Sequence, residues 1–263
     1  MFEGGSPKRI IGRRFASAGI FVVAILSLVA TFLINKSAFV ETTKAASYTW
    51  DGGGTDGTCG GSAGDGNKWS CAANWSTNTV PTSTDEVVFD STSTKDSVID
   101  AGLAISSVAS ISINSGYAGT LSMAKDFQFD AFAQAAGTFT ASSGTTTVTG
   151  NFSRSAGTFN HNDGVVKFDA SRNGSITYSG SAATTFNDVI ATRTYSSTGA
   201  LNFYIRVDMY VEGDFTAKNE NSSTGYFYIN KSTSGDSGIV YVDGNISLPS
   251  TASSAVLSFG DTS

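Results

Sequence analysis

The unit Ala118-Gly119-Thr120-Leu121 returns as Ala136-Gly137-Thr138-Phe139 and again as Ala156-Gly157-Thr158-Phe159, at steps of 18 and 20 residues. Gly144 and Gly164 keep the step of 20, as do Val148 and Phe168. Such a repeat narrows the choice of folds sharply. Each unit is too small to bury its own apolar face and must stack on a neighbour to do so. A second unit, an apolar residue running into Gly and then Asn or Asp, occurs three times: Val148-Thr-Gly150-Asn151-Phe152, Val211-Glu-Gly213-Asp214-Phe215 and Val242-Asp-Gly244-Asn245-Ile246. Gly-Asn and Gly-Asp supply left-handed turn steps at low steric cost.

Between these corners the apolar residues alternate. Ile111/Ile113, Phe127/Phe129 and Phe227/Ile229 have period two, and the longest run is Phe203, Ile205, Val207, Met209, Val211, with polar or tyrosine residues between. Period two puts one face of a strand inside and the other in water. From about residue 98 onward no sustained i, i+3, i+4, i+7 pattern occurs, so helix is not expected there. We read the fold class as all-β, a right-handed parallel β-helix (β-solenoid) over residues 98–263, with coils of about 20 residues. The competing reading is an antiparallel β-sandwich or hairpin array, since Asp163-Gly164 and Asp243-Gly244 are type I′ hairpin signals. Against it, Gly144, the repeat mate of Gly164, follows Ser143, so the hairpin dipeptide is not what repeats.

Residues 47–97 differ in composition. They hold Trp50, Trp69 and Trp75, both cysteines and the densest glycines, and they end on a strand pattern in which Val87 and Phe89 share a face. Large aromatics ahead of a Ser/Thr-rich stack point to a cap on its open end. Residues 1–46 are set aside as a signal peptide or N-terminal membrane anchor. Lys8, Arg9, Arg13 and Arg14 precede an uncharged run from Phe15 to Asn35, and Thr43-Lys-Ala-Ala46 offers a small-residue cleavage site. The run is 21 residues, roughly 31 Å as helix, which also suffices to span a bilayer core. Either reading puts the body outside the membrane, touching it only through this segment.

Export changes how the charges and thiols are read. Of 16 basic and 22 acidic groups, six and two lie in 1–46, leaving ten and twenty in the body, a net charge near −10. That balance repels phosphate backbones, so no nucleic-acid partner is expected. Cys59 and Cys71, 12 residues apart, are read as one disulfide, worth roughly 2–3 kcal/mol by loop entropy. A metal site would need more soft ligands than a chain with one histidine offers.

The segment Trp50-Asp-Gly-Gly-Gly54, Trp69, Ala73-Asn74-Trp75, Pro81, Asp85-Glu-Val-Val-Phe89, followed by short Gly-Thr-Phe and Gly-Asn-Phe units, resembles repetitive bacterial surface proteins with autotransporter-passenger-like β-helices. The resemblance runs from about residue 48 onward. It implies a surface-displayed, adhesin-like or stalk-like role and brings no catalytic residue with it. Such proteins usually end in a barrel or wall-attachment signal. This chain stops at Gly260-Asp-Thr-Ser263, which we read as an N-terminal fragment of something longer.

Three places in the sequence hold residues that could carry chemistry. His161, in Asn160-His-Asn-Asp-Gly164, reads as a solvated turn residue with no nucleophile partner. Arg206, Asp208, Glu212 and Asp214 crowd one stretch, and paired carboxylates are what a polysaccharide lyase or hydrolase needs, so a β-helix carbohydrate-active enzyme is the alternative function. Asp51, Asp56 and Asp65 sit among glycines as a calcium loop would, but at neither EF-hand nor nonapeptide spacing, and turn formation is the simpler role. We therefore expect an exported, non-enzymatic cell-surface protein with no catalytic residue, cofactor or metal. Its partners would be a surface glycan or neighbouring cell and envelope components.

Overall fold

A computed structural model describes residues 45–171, 174–195, 201–220, 227–229 and 238–248, and the backbone of 255–257. The leader expected over residues 1–46 lies almost wholly outside these, and the described body begins at Ala45.

The body is an all-β parallel β-solenoid. It opens with β1 (Ser47–Thr49), β2 (Glu86–Phe89), β3 (Ser97–Ile99), β4 (Ser107–Ile113), β5 (Thr120–Met123), β6 (Phe127–Gln134) and β7 (Thr138–Thr140). Next come β8 (Thr145–Val148), β9 (Phe152–Arg154), β10 (Thr158–Asn160), β11 (Val165–Asp169), β12 (Ile176–Gly180) and β13 (Thr184–Phe186). The later coils hold β14 (Asp188–Arg193), β15 (Leu201–Ile205), β16 (Met209–Val211), β17 (Phe215–Asn219), β18 (Phe227–Ile229), β19 (Val240–Val242), β20 (Ile246–Ser247) and β21 (Ala255–Leu257). Every pairing between these strands is parallel.

The large sheet begins as a single column, β1-β2-β4-β6. At β6 it forks. The first half of that eight-residue strand pairs with β8, leading to β11-β14-β17-β20, and the second half pairs with β9, leading to β12-β15-β18-β21. The fork lies at Gly150, where a Cβ would come within 2.3 Å of the Asp130 carbonyl oxygen, so only glycine lets the chain bend there. The remaining face is built from β3-β5-β7-β10 and then β13-β16-β19.

Apolar residues stack through the coils in register. One inward row runs Val87, Ile111, Phe132, Phe152, Tyr178, Ile205, and a second runs Val108, Phe129, Val148, Phe168, Ala191, Ala217. All twelve are buried. Phe132 and Phe152 stack at 4.8 Å, and Phe152 and Tyr178 at 5.7 Å. Aromatic pairs of this kind contribute about 0.5–1.5 kcal/mol beyond their burial.

The repeat units fall where stacking requires. Thr120, Thr138 and Thr158 are neighbours, at steps of 18 and 20 residues. The step is not constant, however. It is 24 from Glu86 to Ser110, 25 from Thr184 to Met209 and 31 from Met209 to Val240, because residues are added between strands while the strands stay short. The hairpin reading fails. β10 and β11, on either side of Asp163-Gly164, do not pair with each other; β10 pairs with β7, and β11 with β8 and β14. Asn162 and Asp163, at φ 52° and 55°, make a solenoid corner instead. The second unit also marks two different corners. Gly150 separates β8 from β9, whereas Gly213 and Gly244 precede β17 and β20.

Residues 50–81, between β1 and β2, add a buried aromatic cluster to the core beside β2. Trp50, Trp69 and Trp75 are fully buried, with Trp75 edge-on to both others at 5.2 Å, and Trp50 and Trp69 lie on Phe89. Each indole N–H has an acceptor: the Lys95 carbonyl, Ser97 Oγ and the Trp69 carbonyl, respectively for Trp50, Trp69 and Trp75. Cys59 and Cys71 are joined as a disulfide beside this cluster.

Candidate functional site

The run Phe203 to Val211, read above as one strand, is two. β15 ends at Ile205 in the large sheet, and β16 starts at Met209 on the other face, with a corner at residues 206–208. Arg206, Asp208, Glu212 and Asp214 therefore do not line one strand surface. Arg206 lies over the Tyr204 ring at 5.7 Å, on the β15 side of the corner.

The aspartates share a structural task. Asp208 Oδ1 accepts the Ile239 N–H at 3.0 Å, and Asp214 Oδ1 accepts that of Asn245 at 2.8 Å. Asp188 does the same for Asp214 (2.7 Å), Asp126 for Thr145 (2.7 Å) and Asp96 for Thr120 (2.8 Å). In each case a carboxylate at a corner takes the backbone N–H of the next coil. A charge-assisted bond of this kind is stronger than a neutral one and satisfies a donor that no strand reaches. These five carboxylates staple coil to coil, and sequence spacing alone could not show it because the separation varies from 19 to 31 residues.

His161 is only 20% exposed in its side chain, not the free turn residue expected. Its Nδ1 accepts the Asp163 N–H at 3.1 Å, which leaves Nε2 facing Glu212 Oε2 at 3.4 Å. No serine or cysteine nucleophile is bonded to either ring nitrogen among the described residues.

The glycine loop is also internally satisfied. Asp56 Oδ1 accepts the N–H groups of Gly64 and Gly66, and Asp51 Oδ1 that of Gly53. Asp65 is bonded to Lys68 and to the Ser62 N–H. The Lys68 ammonium holds the Asp65 carboxyl below the usual carboxylate range and is itself raised by it. The loop carbonyls of Gly52, Gly54 and Gly66 converge on one cation, the Lys95 ammonium. The carbonyl cage is filled from within the chain. Among the described residues no group of three or more His, Cys, Asp or Glu side chains is placed to hold a metal ion.

What remains is surface. The outer face of β13-β16-β19 carries Thr185, Tyr210 and Tyr241 in register. The two tyrosines are exposed and stacked, ring centres 4.8 Å apart and planes 7° from parallel. Glu212 and Asp243 follow the two strands at one end, and Asp208 and Ile239, joined by the Asp208 carboxylate and the Ile239 N–H, precede them at the other. Sequence reading passed over this pair because Tyr210 and Tyr241 are 31 residues apart, outside the step of 20.

Comparison of the chain with protein-family models, curated proteins and solved structures returns no match. The parallel β-solenoid is therefore established by the strand register alone.

Proposed function

We propose that this chain is an exported, non-enzymatic cell-surface protein, adhesin-like or a structural stalk, which presents a repetitive β-solenoid surface to a glycan or to neighbouring cell and envelope components. The observation that carries the reading is the use made of the acidic side chains. Asp96, Asp126, Asp188, Asp208 and Asp214 are engaged with backbone N–H groups of the next coil, the task of a scaffold rather than of a general acid or base. The leader pattern of residues 1–46, the acidic body and the threonine row Thr120-Thr138-Thr158 support it further.

The test uses cells expressing the full chain. External protease should digest the body without lysis, and the purified protein should release no product from acidic polysaccharides. Turnover that is abolished by Asp208→Ala or Asp214→Ala would overturn the non-enzymatic reading, and protection from external protease would overturn export. Glycan-array binding selects the adhesin role, whereas ordered self-assembly without ligand selects the stalk.

A further inference from the structure

We propose that the outer face of β13-β16-β19 is a binding site for glycans bearing free amines, polymers of amino sugars, recognised by the Tyr210–Tyr241 stack and the carboxylates beside it. The inference rests on the surface-protein reading above and names its ligand and its site.

The face forms a small grid. One row holds Asp208, Tyr210 and Glu212, the next Ile239, Tyr241 and Asp243, and Thr185 and Asn187 precede them. Among the described residues, Tyr210 and Tyr241 are the exposed aromatics, at 40% and 42%, and Ile239 beside them is 54% exposed. Most other aromatics face inward, including Phe186 behind Thr185. The two phenol rings project as parallel fins. Thr185 lies one coil before Tyr210 and carries only a small side chain, so the ring face above it opens as a shelf one coil high, about 4.7–4.9 Å.

A flat ring is what fits against such a shelf. A pyranose offers a rigid face of C–H groups, and rigid aromatic surfaces bind rigid partners with little loss of side-chain freedom. The charge of the grid then selects among sugars. Its eight positions hold no lysine or arginine and three carboxylates border it, while the arginines at its edges are turned to other partners, Arg154 to Thr184 and the Ala183 carbonyl and Arg206 to the Tyr204 ring. Asp208 is engaged with the Ile239 N–H, and Glu212 faces His161 at 3.4 Å with 56% of its side chain exposed. Asp243 lies in the open beside Tyr241. Tyrosine π faces next to carboxylates attract cations and repel uronic or sialic acids. A ring carrying a protonated amine satisfies both demands. A lysine-rich peptide would supply the charge without the rigid face.

Titration calorimetry on the whole chain tests this, with a glucosamine hexamer, its N-acetylated counterpart and tetra-lysine as probes. The hexamer is expected to bind, and the N-acetylated form to bind about ten-fold more weakly. Tyr210→Ala with Tyr241→Ala, and separately Glu212→Gln with Asp243→Asn, should each weaken the hexamer by about ten-fold. Both double variants keep the core, and unchanged far-ultraviolet circular dichroism will confirm that they fold. Unchanged binding in the tyrosine variant, equal binding of the acetylated sugar, tetra-lysine as tight as the hexamer, or no hexamer binding would each overturn the site. If array binding to other glycans survives both variants, the surface-protein reading stands while this assignment falls. Should the protein prove internal to the cell, the reading falls first.

Discussion

Single residues show where the coil-to-coil geometry admits no alternative. Gly157 sits at φ 81°, and a Cβ there would come within 2.4 Å of the Ala136 carbonyl oxygen of the coil beneath. Gly157→Ala should therefore destabilise the fold by about 1–3 kcal/mol, read as a lower urea midpoint at unchanged slope. Gly61→Ala, at φ 92° but with open space around its Cβ, should cost less. Lys95 makes the opposite kind of point. Its ammonium gathers the carbonyls of Gly52, Gly54 and Gly66, of which Gly66 also accepts from the Asn74 amide, so Lys95→Met should cost about 1–3 kcal/mol through the Gly52 and Gly54 carbonyls it leaves behind. Tyr117 and Tyr178 predict the alkaline limit. Burial raises both phenols above their ordinary value, so the folded chain keeps them neutral while the unfolded chain ionises near pH 10. Their contribution is complete below about pH 10 and is lost as pH rises toward the folded values. A Tyr117→Phe, Tyr178→Phe variant should lose stability less steeply in that range, and an equal slope would contradict the assignment.

At the scale of strands, the rows through the coils carry the load. Phe152 touches Phe132 below, Tyr178 above and Phe159, Phe168 and Phe186 across the core. Phe152→Ala should cost about 3–5 kcal/mol, measured by denaturant unfolding. Val240, half-buried near the end of the described stack, makes a milder control when changed to Ala. Much of this was legible beforehand. Alternation in Ile111/Ile113 and Phe127/Phe129 identified inward faces, and the glycine units identified corners, because backbone period and turn sterics are local. The fork at β6, the break at residues 206–208 and the two meanings of the Gly-Asn unit were not legible. Each depends on which coil lies beneath, and no local pattern encodes that. The aspartate staples and the tyrosine face were missed for the same reason.

For the molecule as a whole, contacts run between neighbouring coils, so stability is close to a sum of adjacent interfaces. The coil lengthens from 18–20 residues in the middle to 31 near β19, yet the large sheet continues from β1 to β20 and β21, while the second face divides between β10 and β13. Hydrogen exchange should then be slowest in β6, β9 and β12, which are packed on both sides, and fastest in β19 and β20. Uniform protection would contradict a stack of nearest neighbours. The cluster of Trp50, Trp69 and Trp75, beside the first strands of the large sheet, has one more consequence, an optical one. The whole sequence contains three tryptophans, and all are in that cluster, while tyrosines are distributed along the coils. Indole emission from this protein is thus a gauge of one end only, blind to unravelling that starts elsewhere. A shift in emission colour that lags the loss of the β signal would time the order in which the two ends let go.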